Sequence, residues 1–252
     1  MRYKLFPHWK GGVPAWGMHV SRFLFRLCVF LGVLICYLLA PQRLDLSRPW
    51  REIGLIAPGH ILCVILLVTM SLLHLREPGM SMGRLKQYSR YARLDPQCDP
   101  DALRSAMRRK NLGALKVLAV WLAGNAVVAV LYFRGRIGVA ELVLLCAFYY
   151  LSDIICILFF CPFQLFFMGS RCCVNCRIFA WGSWMMATPL ALIPSLLAWA
   201  VVLLSLSLLI RWEYHVFRYP QHFWRGSNCS LRCGSCTERL CRAKLYPPLN
   251  ED

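Results

Sequence analysis

The chain has few charged residues, and acidic residues are especially scarce. Only 16% of its 252 residues are charged and only 12 are Asp or Glu, whereas hydrophobic residues make up 58%. So large an apolar excess excludes an ordinary soluble domain and is typical of a helical membrane bundle. The 29 Lys and Arg residues give a net charge of +17. They lie beside and between the apolar runs, where cations set topology and attract anionic lipid headgroups.

The sequence also lacks the short motifs that mark common enzymes and nucleic-acid-binding proteins. It has no P-loop, H-E-x-x-H, G-x-G-x-x-G or Ser/His/Asp constellation. It has no RNP motif, helix-turn-helix pattern or paired Cys/His finger either. We therefore predict no nucleic-acid partner and assign no catalytic residue, which leaves open whether the protein is an enzyme.

Long apolar runs predict an all-α integral membrane protein. The runs do not alternate as barrel strands would, and ~20 apolar residues are enough for a helix to cross ~30 Å of hydrocarbon. The predicted spans are 23–40, 53–75, 114–133, 139–160 and 178–212. We expect a bundle of five helices, or six if the last run is re-entrant or split. Residues 1–22 then form a basic, aromatic N-terminal segment, 23–212 the membrane domain and 213–252 a polar, cysteine-rich tail.

Local signals predict details at the ends of two spans. Asp99 followed by Pro100 is typical of a helix N-cap and first helical residue, so one helix should run from there into the third span. Arg22 and Arg26, at the start of the first span, are expected to extend back toward the near membrane surface.

The last run, 178–212, is longer than one crossing needs, at ~52 Å as a straight helix. Pro189 and Pro194 interrupt it, so it could cross once or dip in and return. With a cytoplasmic N-terminus, one crossing leaves 16 Lys and Arg inside and 12 outside, whereas a return leaves 23 inside and five outside. The positive-inside tendency favours the return, but two passes of ~17 residues are short. In the alternative, 178–188 lies along the interface, one crossing ends at Arg211, and the tail cysteines face outside.

Two cysteine clusters flank this last run. They are Cys161, Cys172, Cys173 and Cys176 before it, and Cys229, Cys233, Cys236 and Cys241 after it. Each contains a C-x2-C pair, which supplies two soft ligands from one tight turn, and two such pairs make a four-thiolate site if they meet. We therefore predict that these eight residues are metal ligands.

Three chemical interpretations of the clusters remain open. A metal–thiolate or iron–sulfur site is favoured, because clustered cysteines in a reducing compartment more often serve metals or redox chemistry than packing. The tail spacing C-x3-C-x2-C-x4-C does not match the usual ferredoxin run. The alternatives are disulfides or a thiol–disulfide relay, and reduced structural cysteines. Five further cysteines within the spans are expected to act as apolar packing residues: Cys28, Cys36, Cys63, Cys146 and Cys156.

Two histidines and one carboxylate stand out inside the predicted spans. His60 and His74 are fourteen residues apart on one span and could bind haem, but only with partner histidines such as His19 or His215. An interhelical hydrogen bond is the more ordinary role of a histidine in a membrane helix. Asp153 is costly inside a span and is a candidate for proton transfer. Otherwise it would join helices through a neighbour such as Asn125, Tyr149 or Tyr150.

These observations favour a membrane-embedded metal–thiolate or iron–sulfur protein that carries out electron transfer or thiol-based metal handling. The expected partners are the lipid bilayer and a membrane or soluble redox partner, and the expected location is a bacterial or archaeal inner membrane. The alternatives are a transporter or channel, with its pathway at Asp153 and the broken helix at Pro189 to Pro194, and a scaffold subunit with structural zinc.

Overall fold

The computed structural model of the protein describes residues 15–48, 57–75, 92–170, 172–173, 175–232 and 244. Over these residues the protein is helical, and the only strand-like pairing is an isolated bridge between Leu94 and Asn228. The all-α prediction is therefore confirmed. The α-helices in this part of the chain are α1 (Ala15–Leu39), α2 (Pro58–Leu75), α3 (Pro100–Phe133), α4 (Val139–Leu158), α5 (Gly182–Ala187) and α6 (Leu196–Arg218).

Four of these helices are long and apolar enough to cross a membrane. They are α1 from Gly17, α3, α4 and α6, while α2 is apolar but shorter. The first residues of the second predicted span, 53–56, lie outside the described residues. The structure therefore supports a membrane protein on the length and composition of these helices.

Antiparallel packing of α1 against α4 defines the two ends of the bundle. Near the start of α1, Phe23 makes an edge-to-face contact with Phe159, with ring centroids 5.7 Å apart. Near its end, Tyr37 donates a hydrogen bond to Glu141 at 3.0 Å. The beginning of α1 and the end of α4 thus share one end of the bundle, which we call the basic end.

Helix α3 begins at Pro100, as the sequence signals predicted, and its first turns lie at the basic end. The Asp99 carboxylate accepts hydrogen bonds from the backbone N–H groups of Asp101 and Ala102, and Pro100 occupies the first turn. This confirms the predicted N-cap. The helix continues without a break to Phe133, so at 34 residues it is roughly 51 Å long and its first turns extend beyond the apolar run.

The last apolar run does not form one helix but folds back on itself. It begins as the broken segment, residues 179–192, in which α5 is flanked by 3₁₀ turns at Phe179–Trp181 and Thr188–Leu192. Pro189 lies in the first positions of the second turn, where its missing N–H costs least. The chain is extended at Ile193, after which α6 starts at Leu196.

Side-chain contacts show that this run returns to the end where it began. Arg177 and Trp181, at its start, both donate to the Glu213 carboxylate near the end of α6, each through a contact of 2.7 Å. At the turn between the two arms, Ile193 packs in the same buried cluster as Leu142, which lies in the first turn of α4. The run is therefore a hairpin whose two ends lie together at the basic end.

Candidate functional site

Four buried or half-buried thiols line one cavity inside the basic end. The cavity has a volume of about 110 Å³, and its wall includes Cys156, Cys161, Cys173 and Cys176. We call it the thiol cavity. Aromatic and methionine side chains from α3, α4 and the broken segment line much of the remaining wall, so the thiols face a largely apolar space.

The end of α4 and the following turn place Cys161 in this wall. Helix α4 stops at Leu158 because Pro162 cannot donate a backbone hydrogen bond and disfavours helical geometry in the residue before it. The chain then makes a π-helical turn, Gln164–Met168, which ends at Gly169 with a left-handed φ of 56°. The turn brings Gln164 within hydrogen-bonding distance of one of these thiols, Cys173.

A second tight turn holds the C-x2-C pair. The backbone N–H of Cys176 donates to the carbonyl of Cys173 at 3.1 Å. Both side chains are buried, at 3% and 9% exposure respectively. A turn of this kind directs two thiols to one side, which is the arrangement that makes C-x2-C a source of paired metal ligands.

One residue of the tail reaches the same cluster. Lys244 is 5% exposed and donates a short hydrogen bond to the Gln164 side-chain oxygen. Gln164 in turn donates its Nε2–H to the Cys173 sulfur at 3.6 Å. The ammonium group therefore lies among the thiols and brings a positive charge into a mostly apolar site.

The surroundings give these thiols different pKa values. A hydrogen bond from Cys156 lowers the pKa of Cys161, and the Lys244 charge acts in the same direction against the opposing effect of burial. Burial raises the pKa of Cys173, although Lys244 opposes the shift, and raises the pKa of Cys176 to about 12. Cys161 is thus the thiol in this group that is best prepared to act as a thiolate.

The structure brings together only part of the predicted metal-ligand set. Of the first cluster, Cys161, Cys173 and Cys176 line the thiol cavity, whereas Cys172 does not. Cys229 lies in a different loop, where its backbone N–H donates to the carbonyl of Arg93 at 2.8 Å. The other predicted ligands, Cys233, Cys236 and Cys241, lie outside the described residues. All the described cysteines are free thiols, and no three metal-ligating side chains among the described residues converge closely enough to hold an ion.

Cys156 is a member of the site that sequence reasoning missed, because it was taken for a packing residue. It lies in the last turn of α4 and lines the thiol cavity beside Cys161. The sequence did contain one indication of this role. Cys156 comes only five residues before Cys161, and Pro162 indicates that the helix ends near these two cysteines. Cys63 and Cys146, by contrast, are buried in the core cluster, as expected of packing cysteines.

Asp153 has a partner that the sequence did not suggest. Its carboxylate accepts a hydrogen bond from Arg26 at 2.6 Å, and the same guanidinium donates to the Tyr150 carbonyl and stacks over the Tyr150 ring. The prediction that Arg26 extends to the near membrane surface is therefore wrong: it points into the bundle. Asn125, one of the expected partners, donates instead to the Trp121 carbonyl of its own helix.

The Arg26–Asp153 pair lies between two cavities. Asp153 lines the thiol cavity, and it also lines a second cavity of about 110 Å³ that includes Arg26 and Thr69. The broken segment passes close to it at Gly182, where a Cβ atom would overlap the Asp153 carboxylate. Only glycine allows the backbone to approach the carboxylate this closely.

The predicted haem ligands are not brought together with other histidines in the described part of the chain. His60 is buried near the start of α2, at the end of the bundle opposite the basic end, and its neighbours are Asp45 and Arg48. His19 and His215 belong to the basic end, at the start of α1 and the end of α6. The side chain of His74 lies outside the described residues.

Comparisons of this chain with protein-family models, with curated proteins and with solved structures give no match. Its function therefore has to be argued from the site itself, because a helical bundle can support many unrelated activities.

Proposed function

We propose that the protein is a membrane-embedded metal–thiolate or iron–sulfur protein that serves electron transfer or thiol-based metal handling. The observation that carries the proposal is that Cys161, Cys173 and Cys176 all line one buried cavity. Thiolates are the preferred ligands of zinc and of iron–sulfur clusters. Three such ligands in an apolar site are more than ordinary packing requires.

The tail supports the same proposal. Lys244 contacts Gln164 among the thiols, and Cys241 precedes it by only three residues in the sequence. A cysteine of the tail is thus close along the chain to a residue of the site, and it could complete a set of four thiolates. The Lys244 ammonium would balance part of the negative charge that such a set carries.

We further propose that the chain crosses the membrane six times, with the basic end in the cytoplasm. The hairpin formed by the broken segment and α6 supplies the fifth and sixth passes. In this arrangement the sequence segments that adjoin the basic end carry 23 Lys and Arg, and those that adjoin the opposite end carry five. The positive-inside tendency then orients the basic end inward, where a reducing environment keeps thiols available for metals.

Metal analysis of protein purified without oxygen tests the proposed centre. We expect either iron with labile sulfide and a brown colour, or zinc in stoichiometric amount. Cys176→Ser should lower the metal content sharply because it removes one buried ligand. Cys63→Ser is the matched control, because Cys63 is equally buried but lies in the core cluster, and it should leave the metal content unchanged.

The chemistry of the centre follows from which metal is found. Iron–sulfur would indicate electron transfer with a membrane or soluble redox partner, and colourless stoichiometric zinc would favour metal handling or a structural scaffold. Full reactivity of every cysteine in the native protein toward a thiol reagent, together with no bound metal, would contradict the proposal.

A transporter is the second candidate, and one observation favours it. The two cavities share Asp153, and the broken segment lies against both of them at Gly182 and Met186. A broken helix beside an intramembrane carboxylate is a common arrangement for a binding site halfway along a transport path. A cysteine-free variant that still moves a substrate in vesicles, and loses this ability on Asp153→Asn, would replace the thiol proposal with this one.

A further inference from the structure

A cavity larger than the thiol cavity also lies at the basic end, and no cysteine lines it among the described residues. Its volume is about 310 Å³, and it is bounded by the first half of α3, by the loop at Gly169 and Ser170, and by the turn at Trp224 and Arg225. We call it the cationic cavity. Arg109, Lys110 and Arg225 all line it, and no carboxylate does among the residues that the structure describes.

The geometry around Lys110 fixes positive charge at this cavity. Its ammonium donates to the backbone carbonyls of Phe223 at 2.8 Å and of Asn175 at 3.1 Å. These bonds hold two loops against α3 and keep the ammonium group at the cavity. Arg109 is on the adjacent position of the same helix and exposed, so its guanidinium can turn toward a ligand.

A buried amide adds a second, independent indication of a ligand. Asn175 lines the cavity and is 7% exposed, and its side-chain oxygen has no hydrogen-bond partner among the described residues. Burying a polar atom without a hydrogen-bond partner costs free energy, so the position of this oxygen needs an explanation. A ligand that carries an O–H group, such as the protonated oxygen of a phosphate monoanion, can donate to this oxygen.

From these contacts we infer that the cationic cavity binds a phosphate group. Guanidinium groups match phosphate oxygens with paired, charge-assisted hydrogen bonds, and Asn175 and Ser170 supply neutral polar contacts. Arg109 and Lys110 come shortly before the apolar part of α3 that begins near 114. That position suits the phosphate of an anionic lipid headgroup, but a free phosphate offers the same chemistry.

Two binding measurements on the full-length, detergent-purified protein test this inference and distinguish the two sources. The first titrates inorganic phosphate and follows the melting temperature. The second reconstitutes the protein with phosphatidylcholine and phosphatidic acid, and measures the retained lipid by native mass spectrometry. We expect phosphatidic acid to be retained over phosphatidylcholine, and stabilisation by inorganic phosphate only if the site also accepts the free anion.

Substitutions test whether the phosphate group binds at the cationic cavity. The double variant Arg109→Gln/Arg225→Gln should weaken binding at least about tenfold, since it removes two charge-assisted contacts. Asn175→Asp, which keeps the shape of the side chain but adds a negative charge, should weaken it comparably. Arg108→Gln is the matched control because Arg108 is exposed on the same helix but does not line the cavity. Retention by Arg109→Lys/Arg225→Lys would show that the site remains folded when both positions are substituted.

Each result of the two binding measurements has a different interpretation. Retention of phosphatidic acid alone would assign the site to lipid, and binding of both probes would assign it to phosphate groups in general. Absence of binding in both measurements would overturn the inference. So would an equal loss in Arg108→Gln and in the double variant, because the attraction would then be a property of the whole basic surface.

Discussion

The Arg26–Asp153 ion pair offers the sharpest test of how this bundle is held together. The pair joins α1 to α4 through a contact of 2.6 Å, and the two side chains are only 14% and 24% exposed. Replacing one partner with leucine leaves the other charge in an environment of low dielectric constant. Loss of one member of a fully buried pair costs about 3–5 kcal/mol. Because both groups here keep some exposure, we expect about 2–4 kcal/mol for Arg26→Leu and for Asp153→Leu.

The double variant should be much more stable than the sum of the single changes suggests. With both charges gone, two leucines can pack in the same space, and such replacements are often neutral. We therefore expect a coupling free energy of about 2 kcal/mol or more in a double-mutant cycle. The measurement is equilibrium unfolding in mixed micelles, with loss of helical circular dichroism as the signal.

A second ion pair in the same chain provides the control for this cycle. Arg104 and Asp101 are joined at 3.1 Å, but their side chains are 81% and 84% exposed. Exposed pairs gain little from attraction because water screens them, so Arg104→Ala and Asp101→Ala should show no measurable coupling. If the cycle at Arg26 and Asp153 gave a coupling as small as this control, the pair would not be an energetic link between α1 and α4.

Three further changes have expected outcomes that follow from single contacts. Gly182→Ala should destabilise the protein, because the new methyl group overlaps the Asp153 carboxylate, and most of this loss should disappear in an Asp153→Gly background in the same unfolding assay. Glu213→Leu should cost about 3–5 kcal/mol, since it leaves the 3%-exposed Arg177 without its carboxylate; a melting temperature equal to that of the wild type would refute this. Iodoacetamide near pH 7 should modify Cys161 before the other thiols of the cavity, because its lowered pKa supplies thiolate at lower pH, and peptide mass spectrometry would reveal any other order.

Topology can be checked independently of stability. If the basic end is cytoplasmic, an impermeant maleimide added to intact cells should not label Cys172 or Cys229, but it should label a cysteine introduced at Gly135 in the turn after α3. The reverse pattern would invert the orientation. Labelling of Cys229 but not Cys172 would contradict the hairpin itself, because the two residues would then lie on opposite sides of the membrane.

The path of the last apolar run shows where the sequence left alternatives open. Composition, the two prolines and the count of basic residues allowed both a single crossing and a return. In the structure the run folds back on itself, and Glu213 accepts hydrogen bonds from Arg177 and Trp181 across more than thirty residues of chain. No local pattern encodes that contact, because it depends on where α6 packs.

The same distinction applies to the charged and sulfur-containing side chains. Arg26 and Cys156 each had an ordinary local interpretation, as an interfacial cation and as a small packing residue. Arg26 instead points into the bundle because α1 lies against α4, and Cys156 lines the thiol cavity because α4 ends beside the π-helical turn. Asp99, in contrast, was correctly predicted as an N-cap, since its hydrogen bonds go to the two residues that follow Pro100 in its own helix.

By itself, the sequence determined the properties that depend on neighbours along the chain: helical apolar runs, the cap of α3, the excess of basic charge and the spacing of the cysteines. Hydrophobicity and local backbone hydrogen bonding suffice for these because each acts within a few residues. Only the tertiary structure decided which thiols share a cavity, which cation meets Asp153 and where positive charge gathers around a buried amide. Those arrangements join residues that are distant in sequence, and packing between helices brings them together.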